Sequence, residues 1–379
     1  MKGSIKLFSV KGIEVKVHFT FALILIWAAY RWGVQAGEGL TGALFGVAVT
    51  LLLFACVTLH ELAHSLTAMR YGVTVREITL LPIGGVAQME EIPAKPAQEL
   101  KMSLAGPLTN IAIAILLILI CLPLGIRSTM GVEELFQVLG TVSWHGLIAY
   151  LVSANLTLGL FNLLPAFPMD GGRVLRAFLA MRMDYARATA IAVRIGQGLA
   201  VLLGLWGFMG GGFTLIFIAI FIYLGAGEEG RTVEVKSVLE DMQVRQAMSH
   251  PVQTLTPTDT MAKVVELILQ GLQADFPVLE NDRLVGMLTE GDVLSALHKQ
   301  GADTLVGQMM RRQFPIARPG ETLVEVQGQM SAARLRSVPV VERDRVVGLL
   351  TAQDINEAYR LLKVLPQGWG AGQRQPDST

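Results

Sequence analysis

Long apolar runs broken by short polar segments fill the first 225 residues, and then the pattern changes. Six stretches, at about 18–32, 40–70, 99–123, 141–163, 190–208 and 212–226, are apolar enough to predict membrane-spanning helices, the first and last being short. After Gly230 the apolar runs shorten and charges become frequent, so a soluble domain is expected from about Val244.

Composition agrees with a membrane setting. Hydrophobic residues make up 52% of the chain and charged ones 16%, at a mean hydropathy of +0.50, outside the range of ordinary soluble proteins. The net charge of zero provides no basic field, so no nucleic-acid partner is expected. Cys56 and Cys121 both lie in apolar runs and read as buried small residues, not a disulfide.

Lys and Arg orient the spans. Lys2, Lys6, Lys11 and Lys16, then Arg70, Arg76, Lys95 and Lys101, then Arg173, Arg176, Arg182, Arg187 and Arg194 fall on one side, and Arg31 and Arg127 on the other. The bias predicts cytoplasmic N- and C-termini in a cell (cytoplasmic) membrane, with Arg173 and Arg176 as anchors at the cytoplasmic interface. No cleavage pattern follows a short apolar core, so no removable signal peptide is expected.

Inside the second apolar run stands His60-Glu61-Leu62-Ala63-His64. Histidines one helical turn apart share a face and can offer two imidazoles to one metal, and the intervening glutamate can take a proton from water there. Two satisfied core histidines are the plainer alternative, but ionisable groups at mid-bilayer cost roughly 3 kcal/mol or more and persist mainly where they work. A third ligand is expected from the fourth span, which ends in Asn162-Leu-Leu-Pro165-Ala-Phe-Pro168-Met-Asp170-Gly171-Gly172-Arg173. The prolines break the helix and the glycines permit sharp turning, and a carboxylate on broken backbone at membrane depth suits an ion site. An N-cap role for Asp170 is the alternative.

These paired motifs resemble those of the site-2 protease family of intramembrane zinc metalloproteases (peptidase family M50), over roughly residues 1–228. The resemblance implies that His60, His64 and Asp170 bind one Zn2+ and that Glu61 is the general base and acid. It also implies transmembrane or membrane-anchored substrates, such as anti-sigma factors or membrane-bound transcription regulators. Asn162 and Asn110 are candidates for holding substrate or the developing oxyanion, or else satisfy carbonyls freed by a neighbouring proline. His18 and His145 lack a ligand-spaced partner and stay outside the site. Residues 73–87 alternate partly like a strand and turn near Pro82–Gly85, resembling the family's membrane-associated β-hairpin, whose edge can pair with an extended substrate.

Beyond a linker at 229–242 the sequence repeats itself at an offset of 62 residues. Met248 matches Met310, Pro277-Val278 matches Pro339-Val340, and Gly286-Met-Leu-Thr289-Glu-Gly-Asp292 matches Gly348-Leu-Leu-Thr351-Ala-Gln-Asp354. The repeats resemble a pair of CBS domains, at 243–299 and 304–362. That resemblance implies ATP or AMP contacts at Thr289, Asp292, Thr351 and Asp354, and a homo-oligomer through the pair. The tail at 366–379 is expected to be disordered.

The fold class expected is therefore an α-helical multi-pass membrane domain with a small β-hairpin, followed by a soluble α/β CBS pair. The function expected is intramembrane zinc proteolysis near the cytoplasmic side, gated by adenine nucleotide. A CBS-regulated transporter or channel is the alternative.

Overall fold

The computed structural model describes residues 3–89, 93, 95–121, 141–240, 242–271 and 273–364. It divides into two compact units, Met1–Arg231 and Thr232–Thr379.

The first unit opens with two strands that the hydropathy pattern did not reveal, β1 (Ser4–Val10) and β2 (Ile13–His18). Their turn places Lys11 and Gly12 at φ 49° and 89°, the left-handed region in which a tight hairpin turn matches strand twist. In β2 the alternation is sharp: Ile13 and Val15 are fully buried, while Glu14 and Lys16 face away. Lys16 Nζ lies 2.8 Å from Glu14 and 2.5 Å from Glu77, tying β2 to the next strand. With β3 (Val75–Leu81) and β4 (Gly84–Met89) these form a sheet of order β1-β2-β3-β4, in which β2 and β3 run parallel and β3 and β4 form the hairpin expected at 73–87. β4 is an edge strand. Ile13, Ile78 and Leu80 share an apolar cluster with Phe54, Leu62 and Met102, which seats the sheet against the helices.

The first predicted span, short and expected at 18–32, is helical over residues 21–35. Phe21–Ala29 forms helix α1, followed by a π-helical turn at Tyr30–Gln35. A Cβ at Gly46 would stand 2.6 Å from the Ala28 carbonyl oxygen, so this segment and the next helix pack backbone to backbone. The other runs form α2 (Gly39–Met69), α3 (Pro96–Cys121), α4 (Trp144–Asn162), α5 (Asp170–Ala180), α6 (Tyr185–Trp206) and α7 (Phe213–Glu240). Among the described residues five helices are long and apolar enough to cross a membrane, namely α2, α3, α4, α6 with the turn that follows it, and α7. Ser143 and Asp184 cap α4 and α6 by accepting backbone N–H groups. α7 continues to Glu240, so most of the expected 229–242 linker is helix. Cys56 is a buried free thiol.

In the second unit the repeat is plain. Short helices at Val244–Ala247 and Val306–Met309 lead into two matching blocks. The first contains Met261–Leu269, a hairpin of Phe276–Glu280 with Arg283–Leu288, and Glu290–Lys299; the second contains Leu323–Ala333, Ser337–Glu342 with Arg345–Thr351, and Ala352–Val364. Asn281-Asp282 and Arg343-Asp344 turn the two hairpins with φ between 50° and 62°. The lead-in segments cross between the two blocks. Val244 and Met248 pack with Ala317, Val338 and Leu350, whereas Val306 and Met310 pack with Leu255, Val278 and Leu288. Each lead-in methionine lies against the glycine of the other repeat's hairpin, Met248 on Gly348 and Met310 on Gly286, where a Cβ would require the methionine to shift. The tail expected at 366–379 lies outside the described residues.

Candidate metal centre

An i, i+4 spacing brings His60 and His64 together on α2, their rings edge to face at 4.7 Å and 80°. Their Nε2 atoms stand 3.1 Å apart, and Asp170 Oδ2 lies 3.3 Å from the first and 3.2 Å from the second. Among the described residues these three form the group that could hold a metal ion. In a tetrahedral zinc site with bonds of about 2.0–2.1 Å the donor atoms stand about 3.3 Å apart, so the triangle fits zinc.

The neighbouring groups also fit. His64 Nδ1 is 2.7 Å from the Met102 carbonyl, to which it must donate, leaving Nε2 as a lone pair aimed at the triangle. Gly106 on α3 closes the wall beside both rings: a Cβ there would stand 2.7 Å from His60 Nε2 and would overlap His64 Nε2. His60, His64 and Met102 are buried, and the Asp170 side chain is 13% exposed.

Asp170 reaches the triangle because α4 stops at Asn162. The chain then folds back through turns closed by Ala166 N donating to Leu164 O and Met169 N donating to Ala166 O, across a cis Phe167–Pro168 bond. Gly171 packs on the Leu163 and Leu164 carbonyls and Gly172 on the Ala166–Phe167 backbone, too closely for any side chain. Met169 is the N-cap of α5 and makes no side-chain cap bond. Asp170 therefore is not the cap, and its carboxylate turns toward the histidines.

Glu61 lies beside the triangle beneath the edge strand β4, whose Gly85 backbone rests on it: a Cβ at Gly85 would stand 2.6 Å from Glu61 Cγ. Asn110, one turn beyond Gly106, is buried, and its Oδ1 has no partner in the structure. Asn162, at the end of α4, is half-buried at the start of the turn. Asn155, which the sequence did not single out, is fully buried and donates to the Leu151 carbonyl at 2.8 Å, its Oδ1 unpartnered. His18 bonds Thr20 Oγ1 at 2.8 Å, outside this group.

One expectation is corrected outright. Arg176 is no interfacial anchor: it is fully buried and pairs with Glu99 and Glu229. Its partners come from segments far apart in sequence, so charge pattern alone could not disclose it. Arg173 is half-buried.

In the second unit, Thr289 and Asp292 form a capping box, Asp292 Oδ2 accepting from the Thr289 hydroxyl at 2.6 Å, and Arg311 donates to the same carboxylate at 2.8 and 3.0 Å. Burial would raise the Asp292 carboxyl, but the Arg311 guanidinium and the Thr289 bonds together hold it below its ordinary value. Thr351 and Asp354 repeat the box, with Ser249 donating to Asp354 Oδ1 at 2.9 Å. The four residues thus stand in equivalent places at two helix N-termini.

Comparison with known proteins agrees with both units. Residues 48–203 match the model of peptidase family M50, and residues 244–299 and 306–361 match the CBS domain. Zinc metalloprotease MJ0392 of Methanocaldococcus jannaschii is 34% identical over 365 residues, covering 96% of this chain and 98% of that one. Rip3 of Mycobacterium tuberculosis is 29% identical over 97% of this chain and 96% of its own. A solved site-2 protease from M. jannaschii is 38% identical, covering 60% of this chain and 95% of that one at a TM-score of 0.42. Likeness to zinc metalloproteases over nearly the whole chain displaces the transporter or channel alternative. With a full-length relative at this identity and both motifs in place, the chain belongs to peptidase family M50, the site-2 proteases, as an integral-membrane zinc metalloendopeptidase with a C-terminal CBS pair.

Proposed function

We propose that His60, His64 and Asp170 hold the catalytic zinc and that the enzyme cleaves transmembrane or membrane-anchored proteins near the cytoplasmic side of the cell membrane. The observation that carries this reading is the triangle of donor atoms 3.1–3.3 Å apart, two from the apolar helix α2 and one from the start of α5, with a glutamate alongside. Zinc bound there supplies Lewis-acid polarisation of the scissile carbonyl and a lowered pKa for water.

The chain's own groups do the rest. Glu61 accepts the proton of the attacking water and returns it to the leaving amide nitrogen. His64, held by the Met102 carbonyl, keeps one tautomer and one orientation throughout. A helical substrate hides its peptide bonds, so it must unwind, and the free edge of β4 beside Glu61 can receive the extended segment as an added strand. Asn110, with a buried unpartnered oxygen, can accept a substrate backbone N–H or turn its amide to the developing oxyanion, and Asn162 is assigned a similar role at the turn. Cytoplasmic N- and C-termini are assigned from the remaining Lys/Arg bias, with the shorter helical segment at 21–35 taken as a sixth crossing beside the five longer helices.

The CBS pair is assigned adenine nucleotide, ATP or AMP, at Thr289, Asp292, Thr351 and Asp354. Support comes from the equivalent placement of two hydroxyl–carboxylate boxes at helix N-termini. A homo-oligomer through the pair completes this reading.

The deciding experiment measures zinc content and cleavage of single-span substrates by purified wild type and Glu61→Gln, each with and without ATP. Zinc in both and cleavage by wild type only is the expected result, with the rate changing on adding ATP. Full cleavage by Glu61→Gln would remove the assigned base, and an ATP-independent rate with no ATP binding would remove the gating.

A further inference from the structure

Arg176 sits six residues beyond Asp170 on α5 with its side chain fully buried. Nε and Nη2 donate to Glu99 Oε1 on α3 at 2.9 and 2.5 Å, and Nη1 donates to Glu229 Oε1 on α7 at 2.5 Å. The guanidinium carbon is 5.0 Å from the ring centroids of both Phe167 and Tyr185. Burying such a cluster is weak grounds for stability, because well-packed apolar side chains of similar volume often serve as well. Its presence therefore asks for another reason.

Two of its contacts lead directly to the metal centre. Phe167 stands three residues before Asp170, in the turn that aims the carboxylate. Glu99 stands three residues, one helical turn, before Met102, whose carbonyl orients His64. Arg176 thus joins the segment that aims Asp170 to the helix that aims His64, two segments that reach the site from separate parts of the chain. The fork of a guanidinium, which can bond two carboxylates and stack on two rings at once, suits this better than an ammonium. Resting on the ligand assignment proposed above, we infer that Arg176 is a positioning residue of the metal centre, clamping α5 and its preceding turn to α3 so that Asp170 Oδ2 and His64 Nε2 keep the spacing zinc requires.

The test measures zinc affinity of the purified full-length protein by competition with a chromophoric chelator, alongside kcat and KM. Arg176→Lys keeps the charge but loses the fork, and the double change Arg176→Met with Glu99→Met strands no charge between those partners. Both are expected to bind zinc about 10- to 100-fold more weakly, the range for groups that orient metal ligands, with kcat falling and KM within about twofold. A role in stability alone would lower the melting temperature and leave zinc affinity intact. Wild-type zinc affinity in folded Arg176→Lys overturns the clamp, and should the double variant fail to fold, that variant decides. Asp170→Ala is the control: if it too binds zinc at wild-type affinity, the ligand assignment has failed and the clamp falls with it, an outcome distinct from loss of the clamp alone.

Discussion

Gly85 and Glu61 compete for the same space: the glycine backbone on the edge strand β4 lies against the glutamate on α2, so a Cβ on Gly85 would stand 2.6 Å from Glu61 Cγ. The φ of Gly85 is not in the positive range, so alanine suits the backbone and the substitution tests the contact. Gly85→Ala should lower kcat about 10-fold or more by displacing the glutamate, since misplacement by about 1 Å can cost about 100-fold. Zinc content should stay at wild-type level, as read by metal analysis of the same preparation.

Gly106 tests the opposite pairing of effects. Alanine is the better helix former by about 1 kcal/mol, so on propensity alone Gly106→Ala should stabilise α3. Its Cβ would overlap His64 Nε2 and approach His60 Nε2 at 2.7 Å. The expected outcome is loss of zinc binding by at least about 10-fold with helix content unchanged, read by chelator competition and circular dichroism.

Removing zinc should destabilise the first unit. A ligand that binds only the folded state contributes about 4.1 kcal/mol at a thousand times its Kd, so a strong chelator should lower the melting temperature and zinc should restore it. Asp170→Ala should melt at one temperature with or without chelator, because a triangle of two imidazoles and a carboxylate has lost one corner.

Acid should weaken the first CBS hairpin through Asp292. Its carboxyl is held below the ordinary value when folded, so its contribution is fully present above the unfolded value near 4 and is lost as pH falls through the lowered folded value. Hydrogen exchange of Phe276–Glu280 amides in the full chain, corrected for intrinsic rates, should show protection falling in that range by about 1 kcal/mol, the upper end for a partly exposed pair. Asp292→Asn should show a flat profile. A wild-type profile as flat as the variant's would remove the Arg311–Asp292 pair from the stability of this hairpin.

How much could be read beforehand follows from the range of each interaction. HELAH is legible because two histidines and a glutamate within one helical turn need no tertiary information to share a face. The repeat at an offset of 62 is legible because each hairpin is local, with Val278 opposite Gly286 and Val340 opposite Gly348. β1 and β2 escape the hydropathy pattern because their apolar alternation is short and merges into the run at 18–32, and the pairing of β2 with β3 crosses the whole of α2. The crossing of Met248 and Met310 between repeats has no local signal at all, since it depends on which core each lead-in segment meets.

The sequence by itself determined the apolar helices, the imidazole pair, the proline–glycine turn that ends in Asp170 and the doubled CBS unit, because each is set by spacing within a few residues or by a repeat. Only the tertiary structure decided that Asp170 comes within 3.3 Å of both histidines, that Gly85 covers Glu61, and that Arg176 is buried between Glu99 and Glu229 and not at an interface. These contacts join residues up to about a hundred positions apart, and a contact of that range exists only once helix packing has fixed which faces meet.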